Sequence, residues 1–156
     1  MRILFVCHGN ICRSPMAEFV FRHLATQRGC AARYEVASAA TSTEEIYMGV
    51  GNPIYPPARR ALVHYGIPFD EKKRARLLTR ADYAHYDLLV GMDARNMQNM
   101  HRILGGDPDG KLYKLLSFAG SARDVADPWY TGDFDATYRD VLQGCTALLA
   151  HLEGEA

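Results

Sequence analysis

The opening stretch of the chain constrains its fold more than any other. Arg2–Cys7 is apolar, rich in branched and aromatic residues, and runs into the Gly-containing turn Cys7-His8-Gly9-Asn10. That is the pattern of a buried strand. Shortly afterwards Ser14-Pro15 marks a helix start, with Ser14 as the expected N-cap and Pro15 at the first helical position. A buried strand that passes through a short loop into a helix is the opening unit of a parallel, helix-covered sheet.

The rest of the chain repeats that alternation. The first helix carries an apolar face of Met16, Ala17, Val20, Phe21 and Leu24 and should end near Gly29. Tyr34–Ala37 reads as a short second strand, Ser38–Pro57 as a loop rich in Gly, Pro, Ser and Thr, and Pro57–Tyr65 as a helix stopped by Gly66. Thr79-x-x-Asp82 starts a short helix, Asp87–Met92 is a buried strand, and Asp93 caps a helix running to about Leu104. Lys111–Leu116 is a fourth strand. The last helix is the cleanest periodic signal, with Phe134, Tyr138, Val141, Leu142, Cys145, Leu148, Leu149 and Leu152 on one face. The expectation is an α/β fold: a three-layer, doubly wound sheet of about four parallel strands with helices on both faces, made by one domain over residues 1–156. Ligands in such folds bind beyond the carboxyl ends of the strands.

The apolar run Ile3–Val6 is too short for a signal-peptide core or a membrane span, which makes the cytoplasm the expected location and reduced thiols the expected state. Formal net charge is zero, so no field favours nucleic acid or an anionic membrane. The basic run Lys72–Arg76 reads as a solvated surface. Cys7, Cys12, Cys30 and Cys145 form no C-x-x-C pair and have no His cluster beside them, which argues against zinc. Cys145 lies on the apolar face of the last helix and reads as a core residue; Cys30 has no assignable chemistry.

The loop after the first strand carries the chemistry. Successive N–H groups between Cys7 and Ser14 can form a concave anion nest, and the following helix adds unpaired donors and a positive dipole end. Gly9 and Asn10 tolerate the left-handed backbone that a tight cradle uses. Donors that hold phosphate also favour a thiolate at Cys7. Arg13 offers a planar fork matched to two phosphate oxygens, and Ser14 a hydroxyl that can donate to the sulfur. The loop lacks the G-x-x-x-x-G-K-[ST] pattern of a nucleotide-binding site. A strand-end Cys is usually a small buried hydrophobe, and C-x5-R arises often by chance; the strand, the helix start and Gly-Asn together lift this one above that background. A phosphate ester also requires a proton donor for its leaving group. Asp127 is the candidate, because Pro128 fixes the backbone after it and Trp129-Tyr130 can wall an aromatic slot, although Asp-Pro alone is an ordinary turn signal.

Val6-Cys7-His8-Gly9-Asn10-Ile11-Cys12-Arg13-Ser14-Pro15-Met16-Ala17-Glu18 resembles the N-terminal signature of the low-molecular-weight protein-tyrosine phosphatases. The likeness continues through Ser38–Ser42, Gly66-Ile67-Pro68 and Gly91-Met92-Asp93 to Asp127-Pro128-Trp129-Tyr130. It implies hydrolysis of phosphotyrosine in proteins, or of small aryl phosphates, through a phosphocysteine on Cys7. Arg13 and the amides of His8, Gly9, Asn10, Ile11, Cys12 and Ser14 would hold the phosphate, and Asp127 would serve as general acid. No metal or organic cofactor is implied, and a monomer is expected. Asn10, Ser14, Glu18 and Ser38 match positions that hold the family's loop in shape. A His often joins them; the comparable place here is Lys73. Cys12 is either a plain loop side chain or, by resemblance, the partner of a reversible disulfide that protects Cys7, making the enzyme redox-sensitive.

Two departures stand out. His8 replaces a common Leu. Tyr47–Val50 is an apparent insertion where substrate contacts are expected, so Tyr47, with Trp129 and Tyr130, is a candidate recognition residue, or else the insertion is a neutral extension. Rival readings are a protein-arginine phosphatase, whose branch typically carries Thr in place of Ile11; a thiol-linked arsenate reductase, which needs further cysteines that the segment Thr79–Asp93 lacks; and a non-catalytic phosphoanion-binding module, which would need neither Cys7 nor Asp127.

Overall fold

A computed structural model describes residues 1–155. Its main sheet has four parallel strands: β1 (Arg2–Cys7), β2 (Glu35–Ala40), β5 (Leu88–Gly91) and β6 (Leu112–Lys114), in the order β2-β1-β5-β6. The chain moves from β1 to one neighbour and later returns to the other side, so the switch point lies beside the end of β1. A two-stranded antiparallel hairpin, β3 (Ile46–Tyr47) and β4 (Val50–Gly51), stands apart from the sheet.

Alternation along β1 sends its side chains to two cores. Ile3 and Phe5 pack with α1 (Arg13–Gln27), α2 (Pro56–His64) and α6 (Phe134–Leu152), through Phe21, Leu62, Val141, Cys145 and Leu148. Leu4 and Val6 face Leu78 and Tyr86, which flank α3 (Ala81–His85), and Met100 and Leu104 of α4 (Ala94–Leu104), with Tyr83 of α3 packed against them. The expected three layers are present. The expected apolar stripe of α6 is buried at Tyr138, Val141, Cys145, Leu148 and Leu149. Cys145 is fully buried, its thiol donates to the Ala17 carbonyl at 3.6 Å, and burial pushes its pKa up.

Several boundaries differ from the sequence reading, each for a local reason. Helix α1 begins at Arg13 with Cys12 in the N-cap position and no side-chain cap. Ser14 is therefore not the cap: it lies inside the first turn, and its hydroxyl faces Cys7 instead. Pro15 is correspondingly the third helical residue, still within the turn whose N–H groups have no intrahelical partner. The second strand starts one residue later and extends to Ala40, because the Ala39 and Ala40 backbones continue pairing beside Val6 and Cys7. The expected fourth strand is short: after Lys114 the chain tightens into a 3₁₀ segment, Leu115–Ala119. The loop reading of 38–57 missed the hairpin, whose turn sets Met48 and Gly49 at φ 50° and 80°. That pair of positive φ values is the geometry of a two-residue primed turn; Met at the first position is what concealed it. A further short helix, α5 (Pro128–Thr131), follows Asp127.

Candidate active site

Cys7 ends β1, and the loop folds back over its sulfur. The N–H groups of Asn10 and Ser14 donate to Cys7 Sγ at 3.3 and 3.4 Å, and Ser14 Oγ lies 3.0 Å from it. Asn10 carries the bend, with φ 59°, and its Nδ2 donates to Ser14 Oγ at 2.7 Å. Since that oxygen is already accepting, the hydroxyl's own hydrogen is free to point at the sulfur. Gly9 has no side chain where Glu45 packs: a Cβ there would meet Glu45 Cγ at 3.2 Å.

The loop is held from every side. The Thr41 and Ser42 amides donate to the carbonyls of Cys7 and His8, and the Tyr55 amide to that of Ile11. Lys73 Nζ and the Arg76 amide both donate to Asn10 Oδ1 at 3.1 Å. Lys73 Nζ also donates to the Ser38 carbonyl at 3.1 Å, while Ser38 Oγ donates to Glu18 Oε1 at 2.6 Å. Glu18 and Ser38 thus stand one layer behind the loop. The basic run is not simply solvated surface: the Lys73 side chain turns inward to Asn10 and Ser38, and the Arg76 amide faces Asn10 where its backbone runs beside Ala40, while the Arg76 guanidinium pairs with Asp82.

Arg13 is 3% exposed. Its guanidinium donates to Asp93 Oδ2 at 2.8 Å, to the Val125 carbonyl at 3.2 Å and to Asp127 Oδ2 at 3.4 Å. Asp127 accepts from the Trp129 amide through Oδ1 at 3.0 Å, capping α5. The segment carrying it is anchored to α6: the Ala126 amide donates to Asp140 at 2.9 Å, and Thr137 Oγ1 donates to the Ala126 carbonyl at 2.8 Å. Arg123 clamps Asp140 with two hydrogen bonds, and these contacts hold the Asp140 carboxyl below its ordinary range against the opposing effect of burial.

These groups surround one cleft of about 740 Å³. Cys7, His8, Gly9, Ile11, Cys12 and Arg13 form its floor, and Asp127, Trp129 and Tyr130 one wall, with Glu44 and Glu45 also lining it. Asn10 and Ser14 support the floor from beneath. Trp129 is exposed and leans on Tyr55, ring centroids 5.5 Å apart. Tyr47, expected to contact substrate, does not line the cleft; it projects from the hairpin and is 77% exposed. His8 Nε2 sits 3.0 Å from Glu44, so its side chain faces the rim. Cys12 and Cys7 are free thiols. Burial, then the Cys7 charge, pushes the Cys12 pKa up to about 12, which keeps Cys12 protonated.

Asp93, Asp140, Thr137, Glu44 and Glu45 were not singled out as site residues from sequence. Only Asp93 had a signal, as a helix cap, and the structure gives that cap a second role on Arg13. Among the described residues no group of three or more His, Cys, Asp or Glu is placed to hold a metal ion.

The family model for low molecular weight phosphotyrosine protein phosphatase matches residues 2–156. The chain belongs to that family. It is accordingly a protein-tyrosine phosphatase, a phosphoric monoester hydrolase, acting on phosphoproteins or smaller phosphate monoesters. It is 36% identical to the low molecular weight protein-tyrosine-phosphatase YfkJ of Bacillus subtilis, over 98% of this chain and 96% of the relative. The YfkJ crystal structure is similar at a TM-score of 0.89, covering 99% of this chain and 96% of that one. The human low molecular weight phosphotyrosine protein phosphatase is 34% identical over 94% of this chain and 92% of its own length. A Drosophila arginine phosphatase has the same fold, with a TM-score of 0.85, 25% identity and full coverage of both chains.

Proposed function

We propose that the chain, as a single phosphatase domain, hydrolyses phosphotyrosine in two steps at Cys7. The thiolate attacks phosphorus while the loop amides and Arg13 hold the equatorial oxygens. The bond from phosphorus to the tyrosyl oxygen breaks as the Asp127 carboxyl gives its proton to that oxygen. Water then attacks the phosphocysteine and yields a proton to the Asp127 carboxylate; the phosphorus–sulfur bond breaks and the thiolate returns. Ser14 donates to the departing sulfur. The observation that carries this reading is the convergence of two backbone N–H groups and the Ser14 hydroxyl on Cys7 Sγ, opposite a carboxyl held within reach of Arg13.

An aryl substrate suits the cleft because Ile11 is apolar and Trp129 and Tyr130 form an aromatic wall. The acidic rim of Glu44, Glu45 and Asp127 favours a cationic neighbour, and on that observation phosphoarginine is the second reading. No helix of the described residues is long and apolar enough to cross a membrane; the reading places the enzyme in the cytoplasm, working as a monomer. Aryl phosphate hydrolysis in the presence of a chelator, by wild type and Cys7→Ser, tests the chemistry: activity that survives Cys7→Ser, or that requires added metal, overturns it. Matched phosphotyrosine and phosphoarginine peptides test the substrate, and a higher kcat/KM for phosphoarginine would reverse the order of the two readings.

A further inference from the structure

We propose that Lys73 is a positioning residue of the phosphatase site, which joins the Arg76 amide in fixing the direction of the hydrogen-bond chain ending on Cys7 and supplies the unpaired positive charge that favours the thiolate. The proposal rests on Cys7 being the nucleophile.

The direction follows from what each group can give. An ammonium has three donors and no acceptor. Lys73 Nζ can therefore only donate to Asn10 Oδ1, and the Arg76 amide donates to the same oxygen. With Oδ1 fixed as the acceptor, the other end of the Asn10 amide must present its N–H₂ to Ser14 Oγ. Ser14 then has its hydrogen left for Cys7 Sγ, 3.0 Å away. Every link points toward the sulfur, which is the polarity a thiolate needs. An imidazole at this place could donate or accept according to its tautomer and its protonation; Lys73 removes that choice.

Arg13 is the obvious cation of the site, yet it lies against both Asp93 and Asp127. Glu18, the acid nearest the back of the loop, is paired with Arg22 at 3.0 Å. Among the described residues Lys73 forms no ion pair, and its hydrogen-bond acceptors are the neutral oxygens of Asn10 and Ser38. The charged groups that bear on it are Glu18 and Arg22 from α1, Arg76 from its own segment, and Cys7 at the end of β1. Burial lowers the Lys73 pKa, whereas Glu18 and Cys7 pull it up. An attraction of the ammonium by the thiolate is equally an attraction of the thiolate by the ammonium, since coupling free energy is reciprocal.

The test is the pH dependence of Cys7 alkylation by iodoacetamide, with peptide mass mapping to separate Cys7 from Cys12, Cys30 and Cys145. Lys73→Gln keeps a donor for Asn10 and loses the charge. It is expected to move the midpoint of the Cys7 rate curve upward by about one pH unit, with about tenfold slower reaction on the acid side and a preserved alkaline plateau. Lys73→Arg should restore the wild-type midpoint. Lys73→His, neutral above its own titration, should move the midpoint in the same direction as Lys73→Gln and serves where that variant does not accumulate. A midpoint within about 0.2 unit of wild type in either neutral variant overturns the proposal, because a purely structural prop would change the plateau and stability but not the midpoint. The two readings fail separately. Full activity in Cys7→Ser would remove the nucleophile assignment, whereas an unmoved midpoint with inactive Cys7→Ser removes only the role of Lys73.

Discussion

The phosphate loop and the β3–β4 hairpin invert the usual partition of polar and apolar residues, in opposite directions. In the loop and first turn of α1, Asn10, Arg13 and Ser14 are almost wholly buried, and each has partners for its polar atoms. In the hairpin, Tyr47, Met48 and Val50 are exposed by 77%, 86% and 62%. Burying polar groups is tolerable only when all are satisfied, and a satisfied network is rigid. Leaving apolar groups in water is tolerable one at a time, and they remain free to meet something else. The contrast teaches what each region is physically suited to: the buried polar network to holding groups in fixed positions, the exposed apolar hairpin to meeting other surfaces.

The largest expected effects lie on the buried side. Asp127→Asn should reduce kcat by about 10²–10⁴-fold for substrates with poor leaving groups and much less for activated aryl phosphates. A uniform loss across leaving groups would remove Asp127 from the acid role and place the proton source elsewhere in the network. Asp140→Ala frees the Ala126 amide and Arg123 and lets Asp127 drift, so kcat should fall by about 10–100-fold without contact to substrate. Its pH signature has a definite sign. The folded Asp140 carboxyl lies below its ordinary range, so its contribution to stability is present above the unfolded value near 3.8 and is lost as pH falls through the folded value. Urea titrations at neutral pH and at about pH 3 should therefore separate wild type from Asp140→Ala more at neutral pH. An equal gap at both would dismiss the anchor.

Between the two regions lies Gly51, whose absent side chain lets the hairpin press against the next segment. A Cβ there would stand 1.8 Å from the Ala75 carbonyl oxygen. Gly51→Ala should destabilise the protein by about 1–3 kcal/mol in chemical denaturation, and because residues 73–76 support Asn10, kcat should fall as well. Lower stability with untouched kcat would show that hairpin and loop are mechanically independent. The smallest effects belong to the rim. Trp129→Ala should raise KM for aryl substrates by about threefold to tenfold with little change in kcat. Excising Tyr47–Val50 should alter KM for phosphotyrosine peptides by only a few-fold and leave a small aryl phosphate unaffected. A change for the small substrate would mean that the hairpin shapes the cleft itself.

The parallel sheet, both cores and the catalytic loop were legible because each is written locally: alternation along β1, the heptad-like stripe of α6, and a contiguous loop whose donors follow one another in sequence. Several distant supporting groups were not written in local pattern, and Lys73 was reached only through the family resemblance. Asp93 caps its own helix, and nothing in that pattern announces Arg13, eighty positions away. Asp140 sits on an ordinary polar face of α6, and Lys73 lies in a basic run that resembles solvated surface. The hairpin was missed because a Met occupies the left-handed turn position where Asn or Gly would have signalled it.

By itself, then, the sequence determined the strand-to-helix loop with its candidate nucleophile and its arginine, because backbone donors and side chains adjacent in the chain must be adjacent in space; the candidate acid Asp127, far along the chain, came from its Pro-Trp-Tyr context and the family resemblance. Only the tertiary structure decided which distant groups complete that loop. It took Ser14 out of the helix-cap position and set its hydroxyl against the Cys7 sulfur, brought Asp93 and Asp127 onto one guanidinium, took Tyr47 away from the cleft, and set the ammonium of Lys73 behind Asn10. Those choices depend on how strands align and segments cross, and the energies that select them act through space rather than along the chain.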